Sequence, residues 1–293
     1  MTLTTHKIDL EFQLGEGSFG ETGANALTVS GLRVAATISK AGGASMSELR
    51  LQVWGLRLDV MQRLTVLNKL AYSEERNNTV TVIADGAIAF VGTIKEAWAD
   101  ASSPPDMLFT LSAYTAGLEA VRPVTPTSFN GPVGVDVVMA SIGAQMVPPR
   151  SLENNGVTAT LDSPYLPGSL RDQAMAAARA ARCEIVIEDQ AIAIWPVGQA
   201  RNAAELIVSP DTGMVGYPRF TQNGIVLQFL YTPSLTFGQT LQVQSSLGAA
   251  NGKWAVAAVT HDLAAEMPGG PWFTTVECYL FGHAAPIVGT PGG

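Results

Sequence analysis

Residues 206–263 read LIVSPDTGMVGYPRFTQNGIVLQFLYTPSLTFGQTLQVQSSLGAANGKWAVAAVTHDL. Three short apolar segments, 225–230 (IVLQFL), 241–244 (LQVQ) and 254–259 (WAVAAV), are divided by Pro233, Gly238, Gly248 and the pair Asn251-Gly252. Apolar runs of this length between turn-forming residues predict strands and turns, with no helix in the stretch. Ahead of the first strand, Gly213, Gly216 and Pro218 break the chain where an ordinary strand residue would continue the ladder.

The N-terminal part has the same character. Ile8, Leu10, Phe12 and Leu14 alternate with Lys7, Asp9, Glu11 and Gln13, the pattern of a half-buried strand. Further strands are expected at 27–29, 32–39, 48–54, 79–84, 87–98 and 107–113. Turns are expected at Lys40-Ala41-Gly42-Gly43 and, most clearly, at the hairpin pair Asp85-Gly86. One short amphipathic helix places Leu56, Val60, Met61 and Leu64 on a single face after Gly55, and Pro104-Pro105 interrupts pairing before the last strand. Six or seven strands with one helix predict a small β-barrel or sandwich.

From Arg122 the composition changes. Pro123, Pro126, Gly131 and Pro132 suggest a stiff linker and a domain boundary. Val135, Val138, Met139, Ile142 and Met146 mark a helix that stops before Pro148-Pro149, and Ser169 caps an alanine- and arginine-rich helix over 170–183. Residues 184–188 and 191–195 form a hairpin across Asp189-Gln190, ended by Pro196. The expected organisation is three parts: a β domain at 1–120, a small α+β insert at 121–200 and a second β domain at 201–293. The fold class is mainly β, α+β overall.

Composition narrows the function. Only 14% of residues are charged and 47% are hydrophobic, against about a quarter charged in an average globular protein. Such a surface suits burial against partner subunits, and an alanine-rich composition from a GC-rich genome would give the same figures. A net charge of −8, with 17 scattered Lys and Arg, argues against specific nucleic-acid binding, which needs clustered cations. The first residues, MTLTTHKIDLEF, show no secretion signal, and no apolar run is long enough to span a bilayer, so a soluble cytoplasmic protein without membrane insertion is expected. Cys183 and Cys278 sit in apolar surroundings and read as small buried hydrophobes rather than a disulfide.

The residues that could carry chemistry do not assemble into a signature. Residues 14–21, LGEGSFGE, match the spacing G-x-G-x-x-G, but a strand at 27–29 follows where a dinucleotide fold needs a helix. Only Lys40 imitates a kinase lysine, and neither HRD nor DFG occurs, so the loop reads as a hairpin connection. His261 and Asp262 are adjacent, and strand neighbours face opposite ways, so Asp262 cannot readily orient that ring; His261 is expected to be structural, at a strand end. His6, His261 and His283 have no chelating spacing, and Asp85, Asp100 and Asp106 fall in separate turns. No catalytic, cofactor-binding or metal-ligating residue is assigned, and no cofactor is expected. The tail 281–293 reads as a loose end.

SPDTGMVGYPRFTQNGI, LYTPSLTFGQTLQV, GKWAVAAVTHDL and PGGPWFTTVECYL, with Gly92-Thr93-Ile94, Asp100 and Pro104-Pro105 nearer the N-terminus, resemble the central hub proteins of phage tail baseplates and related contractile injection systems. The resemblance implies two tail-tube-like β-barrel domains per chain and a homotrimer whose six barrels join a sixfold tail tube to a threefold spike, letting DNA pass. It also implies partners: a tube or distal tail protein, a spike or tip protein and baseplate wedge proteins, with a place in the virion tail after assembly in the host cytoplasm. Two readings from other classes are a tail-borne cell-wall-degrading enzyme and a host carbohydrate-binding module; turnover on peptidoglycan or binding to glycans would distinguish them.

Overall fold

The computed structural model describes residues 6–20, 23–42, 45–66, 77–102, 107–201 and 205–282. Gly43 of the expected turn, Pro104-Pro105, Asp106 and the end 283–293, including His283, lie outside the described residues. The chain is mainly β and divides into two compact units, each built from three segments: Met1–Ile38, Ser47–Val121 and His261–Trp272 in the first, and Ser39–Met46, Arg122–Thr260 and Phe273–Gly293 in the second.

The first unit contains β1 (Ile8–Gln13), β2 (Ala26–Val29), most of β3 (Arg33–Ala41), β4 (Glu48–Trp54), α1 (Leu58–Leu64), β5 (Thr79–Ala84), β6 (Ala87–Asp100), β7 (Leu108–Tyr114) and α2 (Gly117–Val121). Its strands follow the order β2-β1-β5-β6-β7-β4-β3. Alternation decides which face is buried. Ile8, Leu10 and Phe12 of β1, Leu49, Leu51 and Val53 of β4, and Val80, Val82 and Ala84 of β5 are all essentially inaccessible to solvent. Each such Val, Leu, Ile or Phe side chain contributes roughly 1.5–3 kcal/mol by leaving water. Asp85 and Gly86 take positive φ, 50° and 83°, as the two-residue hairpin between β5 and β6 requires. The expected helix forms as α1, with Val60, Met61 and Leu64 in the core.

The second unit opens with β8 (Thr127–Ser128), β9 (Pro132–Gly134), α3 (Val135–Ala144), β10 (Ser151–Asn154), β11 (Thr160–Asp162), β12 (Tyr165–Leu166), α4 (Leu170–Ala181), β13 (Cys183–Ile187) and β14 (Ala191–Pro196). Residues 122–132, expected as a linker, are instead partly tied down: β8 pairs with β12 and β9 with β11. Two- and three-residue strands carry no periodicity, so proline and glycine dominated that reading. The two helices pack through Val138, Met139, Ile142, Leu170, Ala174 and Ala177, over the three-stranded sheet β10-β14-β13. Ser169 caps α4 as expected, in a reciprocal pair with Asp172.

The remaining strands are β15 (Leu206–Val208), β16 (Arg219–Phe220), β17 (Ile225–Leu230), β18 (Thr240–Val243), β19 (Gly252–Ala265) and β20 (Trp272–Leu280). Within the second unit their order is β16-β17-β20-β19-β18-β15. β17 pairs antiparallel with β20, from Ile225↔Cys278 to Leu230↔Phe273. The core is Leu227, Phe229, Leu235, Leu241, Val256 and Val276 with their neighbours. Where strands and turns with no helix were expected, two single 3-10 turns occur, at Pro210–Thr212 and Gly248–Ala250. β19 is far longer than the expected 254–259; its residues 252–260 belong to the second unit and 261–265, beside β3, to the first.

Candidate functional site

The residues with catalytic potential are each used structurally. His261 is buried, 1% exposed, inside β19 rather than at its end, because the strand continues to Ala265. Its neighbour Asp262 accepts a 2.9 Å hydrogen bond from Thr37 Oγ1. In the glycine-rich loop after β1 three amides are committed: Leu14 N–H donates to Asn25 O, Phe19 N–H to Ala24 O and Gly15 N–H to Asn78 Oδ1. A phosphate cradle needs such amides free. Asp85 accepts from the Lys7 amide and lies 2.9 Å from His6 Nδ1, while His6 stacks on Trp272 with ring centroids 4.3 Å apart. Asp100 accepts from the Ser102 amide, which holds its carboxyl below the ordinary range. Both cysteines are free; burial raises the thiol pKa of each, and Glu184 adds to the rise at Cys183. Among the described residues no group of His, Cys, Asp and Glu is placed to hold a metal ion, and no helix is long and apolar enough to cross a membrane.

A charged node stands inside the second unit. Arg201, 4% exposed, spreads its guanidinium between two carboxylates. Nη2 lies 2.8 Å from Glu153 Oε2 and 2.7 Å from Glu188 Oε2, and Nη1 is 2.8 Å from Glu188 Oε1. The planar fork of arginine meets both acids with parallel bonds, which the point charge of lysine cannot do. The Arg201 amide donates to Gly238 O, so β10, the β13–β14 turn and the approach to β18 converge on one side chain. Gly238, at φ 80°, leaves no room for a side chain: a Cβ would stand 2.6 Å from the Trp195 ring. Beside the node, Lys40 Nζ donates to Asp189 Oδ2 at 3.0 Å, both side chains largely shielded. Sequence reasoning missed this cluster because Glu153 and Glu188, 48 and 13 residues from Arg201, stand at no recognisable spacing.

Two surfaces remain. In the first unit the outward face of β3, β4, β7 and β6 forms an open groove of about 480 Å³ lined by Thr37, Arg50, Gln52, Trp98, Thr110 and Tyr114, among others. Its charges are answered locally: Arg50 Nε is 3.0 Å from Glu48 Oε1, and Lys95 sits over the Tyr114 ring. In the second unit residues 214–220 run along β17 as an interrupted edge. Met214 bridges Phe229, Val215 N–H donates to Gln228 O, and pairing resumes at Arg219↔Val226 after Gly216, Tyr217 and Pro218. The break lifts Tyr217 into solvent, 69% exposed, while Phe220, opposite Ile225, and Leu230, at the other end of β17, are 55% and 58% exposed.

The tail protein from Neisseria meningitidis MC58 superposes with TM-score 0.63 at 10% identity, over 97% of this chain and 99% of that one. The 43 kDa tail protein of prophage MuSo2 from Shewanella oneidensis gives 0.60 at 9% identity, over 94% and 98%. The E. coli c3393 protein, a component of the type VI secretion system with structural similarity to T4 tail proteins gp27 and gp5, gives 0.58 at 10% identity, over 96% and 80%. No curated protein matches in sequence. At such identities the structures establish the fold. The sequence match to the family described as Baseplate hub gp41, which spans residues 16–278, establishes the relationship: the chain belongs to that baseplate hub family.

Proposed function

We propose that the protein is the central hub of a phage tail baseplate or tip. Three copies form a ring, each supplying two tube-like β domains, drawn from the N-terminal and C-terminal strand regions, with residues 121–200 as an insert. The ring joins the sixfold tail tube or distal tail protein above to a threefold spike or tip protein below, wedge proteins bind outside, and DNA passes through the middle. Assembly takes place in the host cytoplasm, and the finished ring resides in the virion tail. The observation that carries this reading is the family match across residues 16–278. The low charge content and exposed apolar side chains fit a chain whose surface is covered by neighbours. A net charge of −8 suits a channel that DNA must slide through without sticking. Mass photometry of the purified chain is expected to give a species three times the 30.7 kDa chain mass. A chain that stays at single mass both alone and with its tube and spike proteins would refute the ring.

A further inference from the structure

We infer that the interrupted edge of the second unit docks onto the β1–β2 hairpin of a neighbouring copy of this chain. The inference rests on the ring reading and names the two surfaces that close the ring. A ring built from identical chains by a head-to-tail contact mates two different patches, one on each copy.

The first patch is Val215, Tyr217 and Arg219, which line one shallow groove along the edge with Gln228 and Thr275. Backbone pairing there is blocked: Gly216 has φ 71°, Pro218 has no N–H, and β16 is only two residues long. Proline and local bulging are the devices that stop a sheet edge from recruiting another strand. What the edge offers is side chains, and tyrosine and arginine are types that anchor protein interfaces. Arg219 has no ion pair among the described residues.

The second patch is the outer surface of β1 and β2. β2 ends the strand order of its unit and pairs only with β1 among the described strands. Glu11 lies on the exposed face between Thr28 of β2 and Thr81 of β5, and Glu16 stands exposed in the loop that follows. Neither glutamate has an ion pair among the described residues. Ala26 and Thr28 are small and exposed, leaving room for a neighbour's rings. Arg219, with the exposed ring of Tyr217 near it, thus suits an acidic hairpin with small side chains; Glu277 shares its face one strand further in, across Val226, so the outermost charge of the edge is the arginine.

The test uses the full chain in sedimentation equilibrium. Arg219→Glu alone, and Glu11→Arg with Glu16→Arg, are each expected to raise the concentration for half-association about tenfold or more, and the triple variant to recover at least part of the loss. Tyr217→Ala is expected to weaken association while leaving the melting temperature unchanged at dilutions where the wild type is also dissociated, since the side chain is exposed. All of these sites lie on the surface, so unchanged circular dichroism shows that the variants fold. A wild-type trimer left intact by both reversals overturns this inference and leaves the ring standing. A wild-type chain that is monomeric at every concentration, alone and with its tail partners, overturns both. Weakening by each reversal without recovery in the triple variant also overturns the pairing, because it would show that the charges meet other groups.

Discussion

Arg201 concentrates the electrostatics of the second unit in one side chain. Removing it leaves Glu153 and Glu188 facing each other with no counter-charge. Arg201→Met is expected to lower unfolding stability at pH 7 by about 3 kcal/mol, the low end for breaking a buried pair, because Glu153 still reaches solvent. Urea denaturation measures it. The pH dependence has a definite sign. Burial works to raise the Glu153 carboxyl, but the hydrogen bonds from Arg201 and Asn155 outweigh it and hold the group below its ordinary value. A carboxylate depressed in the folded state stabilises fully above its unfolded pKa, about 4.3, and the contribution drains away as pH falls through the folded value. The gap between wild type and Arg201→Met is therefore expected to narrow below about pH 4 and stay constant above about pH 6. None of this is visible in the sequence, where Arg201 is one cation among 17 and its partners stand at no recognisable spacing.

Strands whose outer face is polar announce themselves, which is why β1, β4, β5 and β7 could be located from alternation alone. Where both faces are covered, as along much of β19, the apolar run has no period that fixes its end, and β19 proved longer than its most apolar core. The pairs β8–β12 and β9–β11 are too short to carry any pattern and exist because tertiary neighbours supply the missing hydrogen bonds. One glycine shows how closely the elements fit. Gly224 precedes β17 at φ 155°, and a Cβ there would stand 1.9 Å from Cys278 O on β20. Gly224→Ala is expected to cost about 2 kcal/mol or more, since the obstacle is backbone and cannot swing aside. Thermal melting followed by near-ultraviolet dichroism reads the loss; an unchanged melting temperature would mean that β17 and β20 can part there at no cost.

At the scale of the whole chain, membership of the hub family was legible in scattered glycine, proline and aromatic positions, many of them at turns, whereas the two edges proposed to dock depend on strands brought together by folding. The units do not correspond to continuous stretches of chain. The first takes His261–Trp272 from near the C-terminus, and the last residues of β19 lie beside β3. A fragment ending at Val121 is expected to lack a stable fold, with poor dispersion in its NMR spectrum, and a fragment carrying its own copy of residues 261–272 after a short linker to recover it. Well-dispersed spectra from the shorter fragment would show that the late segment is dispensable. The same interleaving bears on inheritance. Because each unit is written in three separated parts of the gene, a single recombination event between related phages cannot exchange one unit cleanly, so the coding sequence is expected to be transmitted as one indivisible block.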